Sequence, residues 1–217
     1  ALYILTTESI HLRQIKNMKF SCGIEIGDEV KALLFDLDGT LVDNMQIHID
    51  AWVQTGTHYG LPITPEMIQI NAGIPTRQLI VKLASENDWK INTDDFTKLK
   101  QSTYRKLKAN AGPIKKIEPI IQIVRHYYGK IPMTIGTGSS RTNAIGALQD
   151  AEILDCFDLV VSADDVDNPK PHPEIWLKGT THIGIDPKDC LVFEDGDKGM
   201  EAADAAGIPW IDVRKHL

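Results

Sequence analysis

Phe35-Asp36-Leu37-Asp38-Gly39-Thr40 carries the strongest chemical signal in this chain of 217 residues. Two carboxylates stand two positions apart, directly after a short apolar run. In an extended stretch, side chains at that spacing point the same way, so both acids can serve one reacting group. Such a pair can divide nucleophilic attack from proton transfer. The plain alternative is an acidic turn, because Asp and Gly are common in turns. Three further clusters weigh against it. Ile135-Gly136-Thr137-Gly138-Ser139 ends another apolar run with hydroxyls and backbone N–H groups opening a helix, which suits a phosphate. Asn168-Pro169-Lys170-Pro171-His172-Pro173 holds one lysine stiffly between prolines, and Phe193-Glu194-Asp195-Gly196-Asp197 ends a further run with more carboxylates.

Each cluster needs an element to place it. Apolar runs at Ala32–Phe35, Met133–Gly136, Leu159–Ser162, Leu191–Phe193 and Trp210–Val213 have the length and composition of buried parallel strands. Helical patterns lie between them at Ile117–Tyr128, Thr142–Gln149, Glu174–Ile183 and Gly199–Ala206. Strand–helix–strand alternation predicts an α/β fold, a doubly wound parallel sheet covered on both faces. Between Asn44 and Asn110 the rhythm breaks into helices alone: Gln46–His58, Pro65–Asn71, Arg77–Asn87 and Thr93–Ala109. Thr64 and Thr93 are the expected caps, with Pro65 at the first helical position. The expected division is a core of residues 31–44 and 111–217, an inserted helical cap of residues 45–110, and an N-terminal extension of residues 1–30. The extension matches neither pattern and could be a hairpin or a tail. A cap inserted after the first strand lies over the carboxyl ends of the sheet, where open α/β sheets place their ligands.

Composition narrows the partners. With 23 Lys+Arg against 30 Asp+Glu, the chain is formally seven units negative, which argues against nucleic acid or an anionic membrane. A hydrophobic share of 42% excludes whole-chain disorder. Cys22, Cys156 and Cys190 form no CxxC pair and no even framework, so a reduced cytoplasmic protein without structural zinc is expected. The Leu2–Leu5 run is broken at once by Thr6, Thr7 and Glu8 and does not read as a secretory signal. A monomer acting on a small phosphorylated metabolite is the expectation.

The order DxDGT, a Thr after a strand, Lys-Pro-x-Pro, then Glu-Asp resembles the haloacid dehalogenase-like (HAD) phosphohydrolases over about residues 31–217. Within them it is similar to the β-phosphoglucomutase-like branch, and the short tail after Trp210 is most like that of the small bacterial fructose-1-phosphate phosphatases. The resemblance implies a HAD Rossmann-like core and assigns catalytic roles. Asp36 is the nucleophile, Asp38 the general acid and base, and Thr137 and Lys170 hold phosphoryl oxygens, with Gly138 and Ser139 beside them. Mg²⁺ is the implied cofactor, held by Asp36, Asp195 and the backbone carbonyl of Asp38, with Glu194 either a ligand or a partner of one. Gly196 departs from the serine that many relatives carry after the Glu-Asp pair, and Asp197 reads as an exposed loop acid.

In the helical block, His48 and Trp52 stand four apart on one helix face. The resemblance points them at the substrate, whereas packing is the plain alternative for Trp52. Arg77 resembles a cap arginine that reaches a substrate's anionic group; Lys82 and Lys100 read as solvated charges, His172 as a rim residue. Four functions compete: a sugar-phosphate phosphatase, a β-phosphoglucomutase-type mutase, a carbon–halogen hydrolase and a phosphosugar-binding regulatory module. Asn44 in place of the mutase's hinge threonine and the short C-terminus favour hydrolysis. Asp38 disfavours halide chemistry, since a halide leaves without a proton, and the complete acid set disfavours a non-enzyme.

Overall fold

The computed structural model describes residues 18–217. Its centre is β3 (Ala32–Phe35), four apolar residues with no exposed surface. A strand buried on both faces needs parallel neighbours and helices above and below. The neighbours are β4 (Met133–Gly136) and β6 (Cys190–Glu194), with β5 (Leu159–Val161) and β7 (Trp210–Asp212) outside them. The order is β5-β4-β3-β6-β7, all parallel. From β3 the chain builds outward through β4 to β5, then crosses back to lay β6 on the other side. That reversal puts the crevice of the sheet at the carboxyl end of β3. Phe35 is in register with Ile135 and with Phe193, so Asp36, Gly136 and Glu194 follow at one level. Phe35 stacks on Phe193 with centroids 4.7 Å apart, fixing that level by packing.

Helices cover both faces. On one, α5 (Glu118–Tyr127) and α6 (Arg141–Asp150) close a core that includes Leu33, Phe35 and Ile135. On the other, α7 (Glu174–Ile183) and α8 (Asp197–Ala206) close a second core around Leu34, Trp176 and Val192. The sheet is thus doubly wound.

Between β3 and α5 lie four helices: α1 (Met45–His58), α2 (Pro65–Ile70), α3 (Thr76–Glu86) and α4 (Thr93–Asn110). They enclose their own apolar cluster, centred on Trp52, Leu79, Ile80 and Phe96. Thr64 caps α2 by accepting from the Met67 N–H. The cap of α4 is Asn92 rather than the expected Thr93: its carbonyl oxygen accepts from the N–H groups of Asp94 and Asp95. Asn is the stronger N-cap former of the two, which moves the helix start by one residue. The two strands of chain joining this block to the sheet hold to each other, through Asp43 N–H to Lys115 O and Ile117 N–H to Leu41 O, both 2.9 Å. No described helix is long and apolar enough to cross a membrane.

Of the N-terminal extension, residues 1–17 lie outside the described residues. The remainder forms a small hairpin, β1 (Met18–Lys19) against β2 (Glu25–Ile26), turning at Gly23. Ile24 and Ile26 are 1% and 2% exposed and belong to the α5–α6 core, so the hairpin is part of that core. Ile24→Ala is expected to lower stability by about 2–5 kcal/mol in urea unfolding with the folded-state spectrum unchanged; a loss near zero would mean that the hairpin rests on the core without being packed into it.

Candidate active site

Three strand ends and one loop meet over β3. Asp36 follows β3 directly, and its backbone N–H donates to Phe193 O at 2.9 Å, which ties it to the level of β6. Lys170, in the loop ahead of α7, is wholly buried at its side chain. Its ammonium donates to Asp36 Oδ1 at 2.6 Å and to Glu194 Oε2 at 2.7 Å, and sits 4.5 Å above the Trp176 ring. Burial works to lower the Lys170 pKa, but Asp36 and Glu194 raise it above the ordinary lysine range, so it stays charged.

Ligand atoms of Asp36, Glu194 and Asp195 all lie within 4.8 Å of one another. Burial pushes the Asp36 carboxyl up, with the charge of Glu194 adding to it. Burial and then Asp36 push Asp195 up to about 7. Three carboxyl groups against one ammonium make a donor set that a second cation would balance. The oxygen-only ligands suit a hard ion such as Mg²⁺. Glu194 is already committed: besides Lys170, it accepts from the N–H groups of Asp195 and Gly196 at 3.1 and 2.8 Å. Asp195 has less to do, accepting from Thr40 Oγ1 at 2.9 Å. Its approach to the DxDGT loop demands glycine at Gly39, where φ is +95° and an added Cβ would meet Asp195 Oδ2 at 2.3 Å.

Asp38 faces a different environment. Ser139 Oγ donates to its Oδ2 at 2.5 Å, and Thr137 Oγ1 lies 3.4 Å from the same atom. Asn44 Nδ2 donates to Oδ1 at 2.5 Å, and His48 Nε2 stands 3.4 Å away. Burial opposes the charge, but His48 and these hydrogen bonds hold the carboxyl well below the usual range. Burial and Lys100 lower the His48 pKa, against the Asp38 charge, which raises it. Lys100 Nζ lies 3.0 Å from His48 Nδ1; with the ammonium donating, Nδ1 is the acceptor, which leaves Nε2 on the side of Asp38 without closing a hydrogen bond to it.

The cleft of about 700 Å³, open mouth included, is lined by Asp36, Asp38, Thr137 and Asp195 from below and by His48 and Trp52 from the helical block. Gly138 and Ser139 also line it, and Gly138 backs onto Gly73 so closely that a Cβ would meet Gly73 O at 2.4 Å. Trp52 does both things open to it, packing at 5.4 Å on Phe96 while facing the cleft.

Of the other expectations, those for Arg77, Lys100 and His172 need correction, whereas Lys82 and Asp197 are exposed as read. Arg77 is not brought to the cleft: its side chain is 65% exposed and its Nε donates to Asp94 at 2.8 Å. Thr76 takes the cleft-facing position, and the next residue turns about 100° away around the helix. Lys100 is not solvated but 3% exposed, reaching His48 and lying 5.7 Å from the Trp52 ring. Burial lowers its pKa to about 8. The spacing held the missed signal: Phe96, Lys100 and Tyr104 recur every fourth residue and are the buried stripe of α4. Lys82 donates to Asn71 Oδ1 at 2.7 Å with its side chain 45% exposed. His172 lies outside this cleft, beside Leu177 and His182, and Asp197 is an exposed partner of Arg214.

A family model described as haloacid dehalogenase-like hydrolase matches residues 33–213. Among curated proteins, the chain is 34% identical over 183 residues to fructose-1-phosphate phosphatase YqaB of Escherichia coli (strain K12), covering 84% of this chain and 95% of that one. It is 28% identical to the phosphorylated carbohydrates phosphatase of Thermotoga maritima, covering 82% of each. Among solved structures, β-phosphoglucomutase from Clostridium difficile superposes with a TM-score of 0.74 over 83% of each chain, at 23% identity, a likeness of fold.

The acid cluster makes a prediction about stability. Asp195 has a folded pKa near 7 against an ordinary value of 3.8. Between those values the folded state binds the extra proton, so this group's contribution is full at low pH and is lost as pH rises through the folded pKa. A divalent cation favours the ionised form and removes that loss. The rise in melting temperature on adding Mg²⁺ to chelator-treated protein should therefore be larger at pH 8 than at pH 5; a rise independent of pH would count against metal binding at these carboxylates.

Proposed function

The chain belongs to the haloacid dehalogenase-like hydrolase family as a phosphoric monoester hydrolase, and from that premise we propose a Mg²⁺-dependent phosphatase that hydrolyses a small sugar phosphate resembling fructose 1-phosphate through an aspartyl-phosphate. The supporting observation is the division between the two aspartates. Asp36 lies with Lys170 and the metal-type acids, whereas Asp38 lies among hydroxyl, amide and imidazole donors. One carboxylate is thereby set for attack and the other for proton transfer.

The substrate's phosphoryl group enters above Asp36, with Thr137 and the loop of Gly138 and Ser139 as donors to its oxygens. An Asp36 oxygen attacks phosphorus as the bond to the sugar oxygen breaks. Asp38 gives its proton to that oxygen. In the second step Asp38, now a carboxylate, takes a proton from the attacking water, and phosphate leaves with Asp36 restored. The approach of a phosphoryl dianion raises the Asp38 pKa by like-charge repulsion, which loads it with the proton that the first step consumes. Lys170 offsets charge on Asp36 throughout. Asp36, Asp195 and the Asp38 backbone carbonyl would hold Mg²⁺, which would supply charge neutralisation to the phosphoryl group. Glu194, occupied by Lys170 and two backbone N–H groups, acts as the partner that fixes them. His48, Trp52 and Lys100 close over the sugar from the helical block, which we take to work as a cap.

A mutase shares the first step but returns the phosphoryl group to a sugar. Asn44, engaged with Asp38 where the mutase has its hinge threonine, supports hydrolysis. Two measurements test the reading. Asp36→Asn should lower turnover of a sugar-phosphate panel by at least about 10³-fold with Mg²⁺ present, and surviving activity would remove the mechanism. With β-glucose 1-phosphate and a bisphosphate primer, free phosphate is the expected product; glucose 6-phosphate without it would establish the mutase.

A further inference from the structure

Tyr104 on α4 is 1% exposed and has no part in the chemistry above, yet two contacts from it converge on Asp38. Its hydroxyl accepts a hydrogen bond of 2.9 Å from Asn44 Nδ2, the nitrogen that donates to Asp38 Oδ1 at 2.5 Å. Its ring lies on the His48 imidazole, with centroids 4.0 Å apart and planes 23° from parallel. His48 Nε2 is 3.4 Å from the same Asp38 oxygen. Both groups that approach Oδ1 therefore rest on one aromatic side chain.

The two approaches are unequal. Asn44 closes its bond, whereas His48 Nε2 is buried without a hydrogen-bond partner, as is the Asn44 carbonyl oxygen. Buried polar atoms left in this way cost roughly 1–3 kcal/mol each, so the arrangement is poor as mere packing. A phenylalanine would fill the same space and stack on the same ring. The hydroxyl adds only the link to Asn44.

We infer that Tyr104 is a positioning residue for the proton-transfer step: through Asn44 and His48 it fixes the rotation of the Asp38 carboxyl group, and with it the direction in which Asp38 gives and takes its proton. The inference rests on the phosphatase reading of Asp38. The proton passes from Asp38 to the ester oxygen as the P–O bond breaks, and Tyr104 exchanges no proton with the substrate.

The nature of the leaving group tests this. A sugar alkoxide needs the Asp38 proton, whereas p-nitrophenolate leaves as a stabilised anion and needs it far less. The readout is the kcat for fructose 1-phosphate divided by that for p-nitrophenyl phosphate, measured with Mg²⁺ on the full chain. Asp38→Asn should lower the ratio by about 10²-fold or more. Tyr104→Phe, which keeps the stacked ring, should lower it about three- to tenfold, with KM for fructose 1-phosphate changed less than kcat. Asn44→Ala should lower it too, and adding Tyr104→Phe to Asn44→Ala should lower it no further, since both cut one chain of contacts. Equal slowing of both substrates by Tyr104→Phe and by Asn44→Ala would reduce the tyrosine to a packing residue and overturn the inference. A ratio unmoved by Asp38→Asn would instead remove the phosphatase reading of Asp38, and the positioning role with it.

Discussion

One ammonium group with no exposed surface holds the centre of this molecule together. Lys170 bonds to Asp36 after β3 and to Glu194 at the end of β6, so two strands and the loop ahead of α7 meet on a single charge. Removing it would leave like charges facing each other at low dielectric, a loss far larger than that of an exposed ion pair. The lysine is held from behind as well. Trp176 lies under its ammonium, and the indole N–H donates to Gly199 O at 3.0 Å, which joins α7 to α8 beneath the site. The geometry around Asp36 and the packing of one face of the sheet therefore share the same contacts.

The two aspartates show how one strand end can serve two kinds of chemistry. They are separated by one residue, yet Asp36 lies in an excess of carboxylate and Asp38 among neutral donors. In the proposed mechanism the first meets a cation and a phosphorus centre. The second belongs as much to the helical block as to the sheet, through its contacts with Asn44 and His48. Phosphoryl transfer depends on such placement more than on any covalent skill of the protein, and here the placement is divided between a rigid sheet and a packed helical layer.

Much of the sheet was legible in the sequence because its signals are local. Ala32–Phe35 and Met133–Gly136 are continuous apolar runs that can hardly be anything but buried strands, and their bounds match. The residues brought together after β3, β4 and β6 were likewise visible as motifs. What was illegible depends on rotation about a helix axis and on distant partners. Arg77 and Thr76 differ by one position, yet only Thr76 faces the cleft. Lys100 looked like a charge in a polar helix, since α4 is mostly hydrophilic, and only its place in the Phe96–Tyr104 stripe betrayed it. Asn44 was noticed as a substitution within a family pattern, but its partner sixty residues away could not be seen from spacing. The hairpin of residues 18–26 is not legible in the sequence because two-residue strands carry almost no period of their own.

That hairpin has a bearing on how the chain is made. Ile24 and Ile26 pack into a core completed by α5 and α6, and His216 Nδ1 lies 3.1 Å from Cys22 O across 194 positions of sequence. The central strand is synthesised before both of its neighbours, and the hairpin before every element that covers it. During synthesis, Ile24 and Ile26 therefore wait uncovered until α5 and α6 have emerged. Contacts of such long sequence separation slow folding and prolong exposure of sticky surface. The turn at Val213–His216 thus helps to hold the hairpin, so a chain shortened before Val213 would lack that contact even with Asp36, Lys170 and Asp195 all present.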